Sequence, residues 1–293
     1  MSELCYDSIL TAEKDDTSLC RLGLIGAGIA KSLSPMLYQA EAAAQNIQCQ
    51  YSLFDLDDPI TATLAELLDM AQEQQFKGLN ITIPCKQEVI PLLHELSPEA
   101  RAIGAVNTVC FHNNRRIGYN TDAKGFRECF ERYLSGVGLS RVLQFGAGGV
   151  GAATAFTLLQ LGVQQLTIVD VVQKQALQLA DRLQHHFPDR NIRLSLTPKE
   201  DMAQAVGIVN ATPIGTLRYP GTVMPLSFLR ADMWVADVVY SPAETALLHA
   251  ARAMGCQTLD GVNMLVYQAV RAFELFTGSS ADVTRMLRNF KQL

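Results

Sequence analysis

The chain has 293 residues, 48% of them hydrophobic, and a formal net charge of −5. That length supports two domains of ordinary size, each with a buried core. Mild acidity with no run of Lys or Arg excludes the electrostatic footprint of a nucleic-acid binder or an anionic-membrane binder, so an anionic ligand must be attracted locally.

Seven cysteines (Cys5, Cys20, Cys49, Cys85, Cys110, Cys129 and Cys256) are scattered, odd in number and free of any CxxC pair. This argues against a disulfide framework and for a reducing compartment. Cys110 with His112, and the pair His185-His186, lack partners at zinc spacing, so no metal is expected. The opening MSELCYDSILTAEKDD is acidic and polar, unlike a signal or transit peptide. No apolar run approaches the ~18 residues of a membrane span. The expectation is a cytoplasmic protein with neither nucleic acid nor membrane as partner.

From Leu22 onward, short β-branched runs alternate with longer helical patterns. LGLIG reads as a strand, MLYQAEAAAQN as a helix, QYSLFDL as a strand, ATLAELLDMAQEQ as a helix and GLNITI as a strand. This βαβ rhythm predicts a mainly parallel sheet with helices on its faces. AVNTVCFHNNRRIGYN then reads as two short strands around a polar turn at His112 to Arg116, a hairpin that interrupts the rhythm; a domain boundary is placed just after it. The rhythm restarts with VLQF (strand), GVGAATAFTLLQLG (helix), LTIVD (strand), KQALQLADRLQHHF (helix) and IRLSL (strand). GIVNA, MWVADVV and a long helical segment, VNMLVYQAVRAFELFTG, follow; the last could return to the first domain.

Two glycine loops compete for a dinucleotide. A fingerprint needs glycines for the tight turn, for backbone approach to the pyrophosphate and for helix-strand packing, with an acid about 20 residues on for the adenosine ribose. Gly146, Gly148 and Gly151, with Ala147, Gly149 and Val150 between them, meet these spacings between a strand and a helix, and LTIVD ends in Asp170. The earlier loop has Gly26 and Gly28, but its third position is Lys31, whose long side chain would prop a helix off the strand. Its Asp55 ends a later strand. The simpler reading of Gly26 and Gly28 is a turn bringing Ser32 and Ser34 to the carboxyl edge of the first sheet, where ligands of open α/β sheets bind.

KSLSP (31–35), NITIPCK (80–86), GAVNT (104–108), GYNTDAKGF (118–126), GAGGVG (146–151), NATPIGT (210–216), VADVVYSP (235–242) and DGVNMLVYQ (260–268) resemble, in order, the signatures of the shikimate/quinate dehydrogenases. The resemblance runs from about residue 21 to the C-terminus. It implies an α/β protein of two domains: an N-terminal mixed-sheet substrate domain, residues 1–121 completed by helices from 261 to 293, and a Rossmann-type dinucleotide-binding domain, 122–260, with a cleft between them. It further implies reversible oxidation of a ring hydroxyl of shikimate or quinate to the 3-dehydro ketone, with hydride passing to a nicotinamide.

By that resemblance Lys86 is the catalytic lysine and Asp122 its partner carboxylate, sharing the reacting hydroxyl; proton transfer of this kind needs a base in one direction and the same group as acid in the other. The plainer alternatives are a solvated helix-start lysine and a helix N-cap. Ser32 and Ser34 resemble the hydroxyl pair that holds the substrate carboxylate, although Ser34 could also be an N-cap ahead of Pro35. Asn80, Thr82, Asn107 and Gln268 match positions that hydrogen-bond ring hydroxyls, and Tyr240 is a further contact. Asn210, Thr212, Gly261 and Met264 match the cofactor side. Met264 and Gln268, four apart, share a helix face, and ordinary core packing is the alternative for Met264.

Asp170 bears on cofactor choice. A carboxylate can accept both ribose hydroxyls of NAD, and it repels a 2′-phosphate. NADP-using relatives typically carry Asn-Arg-Thr here, where this chain has Asp170-Val171-Val172; NAD is therefore expected, with a capping box to Gln173 as the alternative role of Asp170. Lys31 stands where biosynthetic relatives often have His, and Ser34 where some quinate oxidisers have Thr. An NADP-dependent biosynthetic shikimate dehydrogenase, an aminoshikimate-type relative and a non-catalytic sensor of the same fold are the competing readings. The substrate is a small molecule, and the sequence leaves monomer and homodimer both open.

Overall fold

The computed structural model describes residues 19–59, 62–195 and 197–291. The acidic opening stretch with Cys5, and Leu196 at the end of the expected strand IRLSL, lie outside them. The chain divides into two units. The first comprises the described residues up to Arg101, Val106–Thr121 and the described residues from Ala269; the second comprises Ala102–Ala105 and Asp122–Gln268.

In the first unit, β1 (Cys20–Gly26), α1 (Ser34–Ala44), β2 (Cys49–Asp55), α2 (Leu64–Glu73) and β3 (Gly78–Ile81) follow the expected rhythm. The two-residue strand β4 (Glu95–Leu96) and the short helix α3 (Pro98–Ile103) come next; neither is long enough to carry a period that could be read. The expected hairpin is β5 (Thr108–His112) and β6 (Arg115–Tyr119), antiparallel. Its turn residues Asn113 and Asn114 both have positive φ, 48° and 59°. That is the backbone a two-residue hairpin loop needs, and asparagine tolerates it. The sheet runs β2-β1-β3-β5-β6-β4, with β1 parallel to β2 and β3, and β3 antiparallel to β5. It is therefore mixed. On one side Leu67, Leu68, Phe76, Leu79, Ile81 and Val106 form its core.

In the second unit, α4 (Thr121–Tyr133, of which Thr121 belongs to the first unit) leads into β7 (Arg141–Phe145), α5 (Gly149–Gln160), β8 (Gln165–Val169), α6 (Gln173–His186) and β9 (Asn191–Leu194). Then come α7 (Pro198–Gln204), β10 (Gly207–Asn210), β11 (Trp234–Asp237), α8 (Ala246–Met254) and β12 (Gln257–Leu259). All five strand pairings are parallel, in the order β12-β11-β10-β7-β8-β9. In chain order that is 3-2-1-4-5-6, the Rossmann order, whose switch point lies between β7 and β10. Helix α9 (Gly261–Thr277) contributes its part up to Gln268 to this unit and the rest, with α10 (Val283–Lys291), to the first. Among the described residues, no helix is long and apolar enough to cross a membrane. Nor does any group of three or more His, Cys, Asp or Glu among them offer a metal site.

Candidate active site

The first glycine loop is closed by the protein itself. Asp55, at the end of β2, accepts the backbone N–H groups of Gly28 (2.9 Å), Ile29 (2.9 Å) and Ala30 (3.0 Å), and that of Asp57 at 3.1 Å. These donors hold its carboxyl below the usual range, Asp57 foremost. Asp55 thus stands where an anionic ligand of these N–H groups would have to sit. Lys31 is exposed in a turn ahead of α1; the loop's N–H groups already hold an internal anion. The loop delivers Ser32 and Ser34, whose hydroxyls lie 3.1 Å apart. Ser34 is not an N-cap. It is the first helical residue, Leu33 occupies the cap position, and no side chain caps the helix.

The register of β2, β1 and β3 puts Tyr51 beside Leu22, and Asn80 beside Leu24 two residues on, so Tyr51 and Asn80 face the same side of the sheet. The Tyr51 hydroxyl donates to Asn80 Oδ1 at 2.8 Å, and Asn80 Nδ2 donates to Thr108 Oγ1 at 3.4 Å. Thr108 Oγ1 donates to Asn107 Oδ1 (3.0 Å), which also accepts from Thr121 N (2.7 Å), while Asn107 Nδ2 donates to Thr121 Oγ1 (2.9 Å). Asn80, Asn107, Thr108 and Thr121 are all buried. Burial pushes the Tyr51 phenol well up, with Tyr38 adding to the effect and the Ser34 hydroxyl opposing it. The phenol therefore stays a neutral donor. Two of the expected ring-hydroxyl residues, Asn80 and Asn107, thus sit in one satisfied polar network, with Thr82 immediately after β3.

Lys86 lies in the turn after β3, only 7% exposed, and its carbonyl accepts from Val106 N at 2.8 Å. A solvated lysine is excluded. Asp122 is 5% exposed and sits inside the first turn of α4, which begins at Thr121, so it is not the cap residue.

In the second unit the glycine loop joins β7 to α5. Gly146 has φ +101°, and a Cβ there would come within 2.5 Å of the Ala211 carbonyl oxygen. A Cβ on Gly151 would collide with the Gly146 carbonyl. On Gly148, the N-cap of α5, a Cβ would meet nothing within 4 Å. The protein itself demands glycine at 146 and 151; at 148 only an approaching ligand would. Ala147 is buried, Gly149 and Val150 open the helix, and Ala147 N donates to Asp170 Oδ2 at 2.7 Å. This arrangement fits a dinucleotide pyrophosphate at the loop with a ribose acceptor at the end of β8. The Asp170 capping box is absent. Its other oxygen accepts from Val172 N at 2.8 Å, and the α6 N-cap, Val172, makes no side-chain cap.

At the carboxyl end of β10, Asn210 Oδ1 accepts from Thr212 N (3.0 Å) and Thr212 Oγ1 (2.7 Å), and Asn210 Nδ2 donates to Asp237 Oδ1 (2.9 Å). Asp237, fully buried, also accepts from Val239 N (3.0 Å) and Thr245 Oγ1 (2.7 Å). Burial lifts its carboxyl to about 6, against the pull of Thr245, Val239 and Asn210. Gly261 opens α9 where a Cβ would collide with the carbonyls of Val238 and Val239. Met264 is buried, Gln268 is half-buried, and Tyr240, after β11, is 43% exposed.

Tyr51, Thr108, Thr121, Gln144 and Asp237 escaped the sequence reading. Signals existed for two of them: Gln144 in VLQF and Asp237 in VADVV are polar residues inside runs that must be buried, which obliges them to find partners.

A Rossmann domain with an intact dinucleotide loop, in one chain with a mixed-sheet α/β domain, defines a NAD(P)-dependent oxidoreductase. The family description "Shikimate dehydrogenase substrate binding domain" matches residues 24–109, and "Shikimate 5'-dehydrogenase C-terminal domain" matches 261–288. A shikimate dehydrogenase (NADP(+)) of Streptomyces avermitilis is 47% identical over 93% of this chain and 95% of its own. A quinate/shikimate dehydrogenase (NAD(+)) of Corynebacterium efficiens is 44% identical over 93% and 98%. The solved quinate dehydrogenase of Corynebacterium glutamicum in complex with NAD superposes with a TM-score of 0.89 at 43% identity, covering 94% of this chain and all of that one. The chain belongs to the shikimate/quinate dehydrogenase family.

Proposed function

We propose that the chain catalyses the reversible NAD-dependent oxidation of shikimate, and of quinate, to the 3-dehydro ketone. The relatives named above are shikimate or quinate dehydrogenases and match nearly the whole length of this chain, which supports the reaction. For the cofactor the carrying observation is Asp170: its carboxylate stands at the end of β8, bonded to Ala147 N and Val172 N, and the two residues that follow it are exposed valines. A 2′-phosphate there would face an anion, and neither of the two following residues offers it a guanidinium.

In this reading, Lys86 takes the proton of the reacting hydroxyl as the carbon loses hydride and returns it in the reverse direction, while Asp122 shares that hydroxyl and holds the ammonium. The nicotinamide, when bound, supplies the hydride acceptor. Ser32 and Ser34 bind the substrate carboxylate through their hydroxyls. Asn80, Thr82, Asn107, Tyr240 and Gln268 bind the ring hydroxyls; a site built of such groups rejects analogues lacking a hydroxyl, because its own polar atoms would go unpaired. Gly146 to Gly151, Asn210, Thr212, Gly261 and Met264 form the cofactor side.

The NADP(+) designation of the Streptomyces relative favours a second reading, a biosynthetic NADP enzyme. Steady-state rates for the four combinations of NAD or NADP with shikimate or quinate test both. Higher kcat/KM with NAD is expected; a clear preference for NADP would overturn the cofactor assignment.

A further inference from the structure

We propose that Gln144 is a positioning residue for cofactor choice: through the Gly146–Ala147 peptide it sets the place of the Asp170 carboxylate. This rests on the role given to Asp170 above. Gln144, on β7, is wholly buried. Its Nε2 donates to the Gly146 carbonyl at 2.9 Å and to the Gly151 carbonyl at 2.7 Å, and its Oε1 accepts from Thr154 Oγ1 at 2.9 Å. Carbonyl oxygens can only accept, so the amide fits only this way round.

In a planar trans peptide the C=O and the following N–H point in opposite directions. Gln144 draws the Gly146 carbonyl inward and thereby turns the Ala147 N–H outward, where it donates to Asp170 Oδ2 at 2.7 Å. Glycine at 146 permits the required φ of +101° but does not impose it; the amide clasp selects it. Thr154 on α5, Gln144, one peptide plane and Asp170 thus form a single relay. Its outer end is the group that would discriminate a ribose hydroxyl from a 2′-phosphate.

The test uses the full-length enzyme and Gln144→Met, which keeps the length of the side chain and removes its amide, alongside Asp170→Asn and the double variant. The readouts are kcat/KM for NAD and for NADP at saturating shikimate, and KM for shikimate at saturating NAD. Gln144→Met is expected to lower the NAD-to-NADP efficiency ratio by about tenfold, a difference of one decade in selectivity, with KM for shikimate unchanged. The double variant is expected to show the ratio of Asp170→Asn alone, because the amide acts through that carboxylate. If Gln144→Met lowers both efficiencies by the same factor, the residue is merely structural and the proposal falls. If Asp170→Asn alone leaves the ratio unchanged, the cofactor reading fails first, and visibly so. Should Gln144→Met not fold, Thr154→Val frees the amide at its other end and should move the ratio in the same direction; an unmoved ratio there overturns the relay.

Discussion

The Tyr51 phenol donates to Oδ1 of Asn80 at 2.8 Å, which fixes the way round in which the Asn80 amide faces. Removing that single oxygen with Tyr51→Phe leaves the ring in its packing against Tyr38, 4.9 Å between centroids. The amide is then free to turn. KM for shikimate should rise about tenfold while KM for NAD stays unchanged, and unfolding free energy should drop by about 1–2 kcal/mol, the usual cost of a buried acceptor left without its donor. Kinetics and denaturant melts together check this; an unchanged KM for shikimate would confine Tyr51 to packing.

Lys86→Ala removes the proposed proton acceptor from a position that is only 7% exposed. Turnover should fall by at least about a hundredfold, the lower end of what general acid-base catalysis contributes. NAD affinity, measured by fluorescence titration, should not change. Normal turnover would take the lysine out of the mechanism.

Two of the fingerprint glycines, Gly146 and Gly148, should separate by experiment. Gly146→Ala forces a side chain into left-handed backbone against the Ala211 carbonyl and should cost about 1–3 kcal/mol of stability or more. Gly148→Ala meets no protein atom within 4 Å and has φ −70°. Stability should stay within about 0.5 kcal/mol, as for unconstrained surface changes, yet KM for NAD should rise. A Gly148→Ala enzyme with normal KM for NAD would move the pyrophosphate elsewhere.

Asp55 fills the first loop with its own carboxylate. Asp55→Ala should release the Gly28, Ile29 and Ala30 amides, seen as faster hydrogen exchange, and raise KM for shikimate through the loop that carries Ser32 and Ser34. KM for NAD should not move. Were it to move instead, the first loop would be the cofactor site.

Asp237 gives a pH signature. Its folded-state pKa of about 6 lies above the ordinary carboxyl value of 3.8, so the native state holds this proton more tightly than the unfolded chain. The resulting stabilisation is complete below the unfolded pKa and is lost as pH rises through about 6. Wild type should therefore lose about 2 kcal/mol relative to Asp237→Asn between pH 4 and pH 6.5, at about 1.4 kcal/mol per pKa unit. Paired urea melts across that range measure the difference; parallel curves would contradict it.

Much of this architecture is legible in the chain because period and turn chemistry agree. β-branched runs bounded by Gly and Asn marked eight of the strands, and Asn113-Asn114 sat where a hairpin had to turn. A two-residue strand such as Glu95–Leu96 and helices of three turns or fewer such as Pro98–Ile103 and Ala246–Met254 carry too little of their period to stand out. The glycine turn between β7 and α5 was legible because Gly146 and Gly151 answer to local sterics. The polar network of Tyr51, Thr108 and Thr121 was not, because Tyr51 meets Asn80 only after β1 is laid between their strands. For the first loop, Lys31 is visible in sequence, whereas the carboxylate that Asp55 sets against the Gly28, Ile29 and Ala30 amides is a matter of strand order.

Helix α9 gives its last part to the first unit, and this constrains how the protein can be made. Phe273 and Phe276 lie 6.4 and 6.2 Å from the Tyr38 ring, Gly78 leaves room for Phe276, and Arg285 on α10 grips the fully buried Glu41 with two bonds of 2.7 Å. During vectorial synthesis the N-terminal sheet must leave the ribosome with that side bare and its Glu41 without the arginine that grips it. It can be sealed only when the final 25 or so residues emerge, so the domain begun first is the one completed last, and nascent chains stalled before residue 269 should be the ones that chaperones retain.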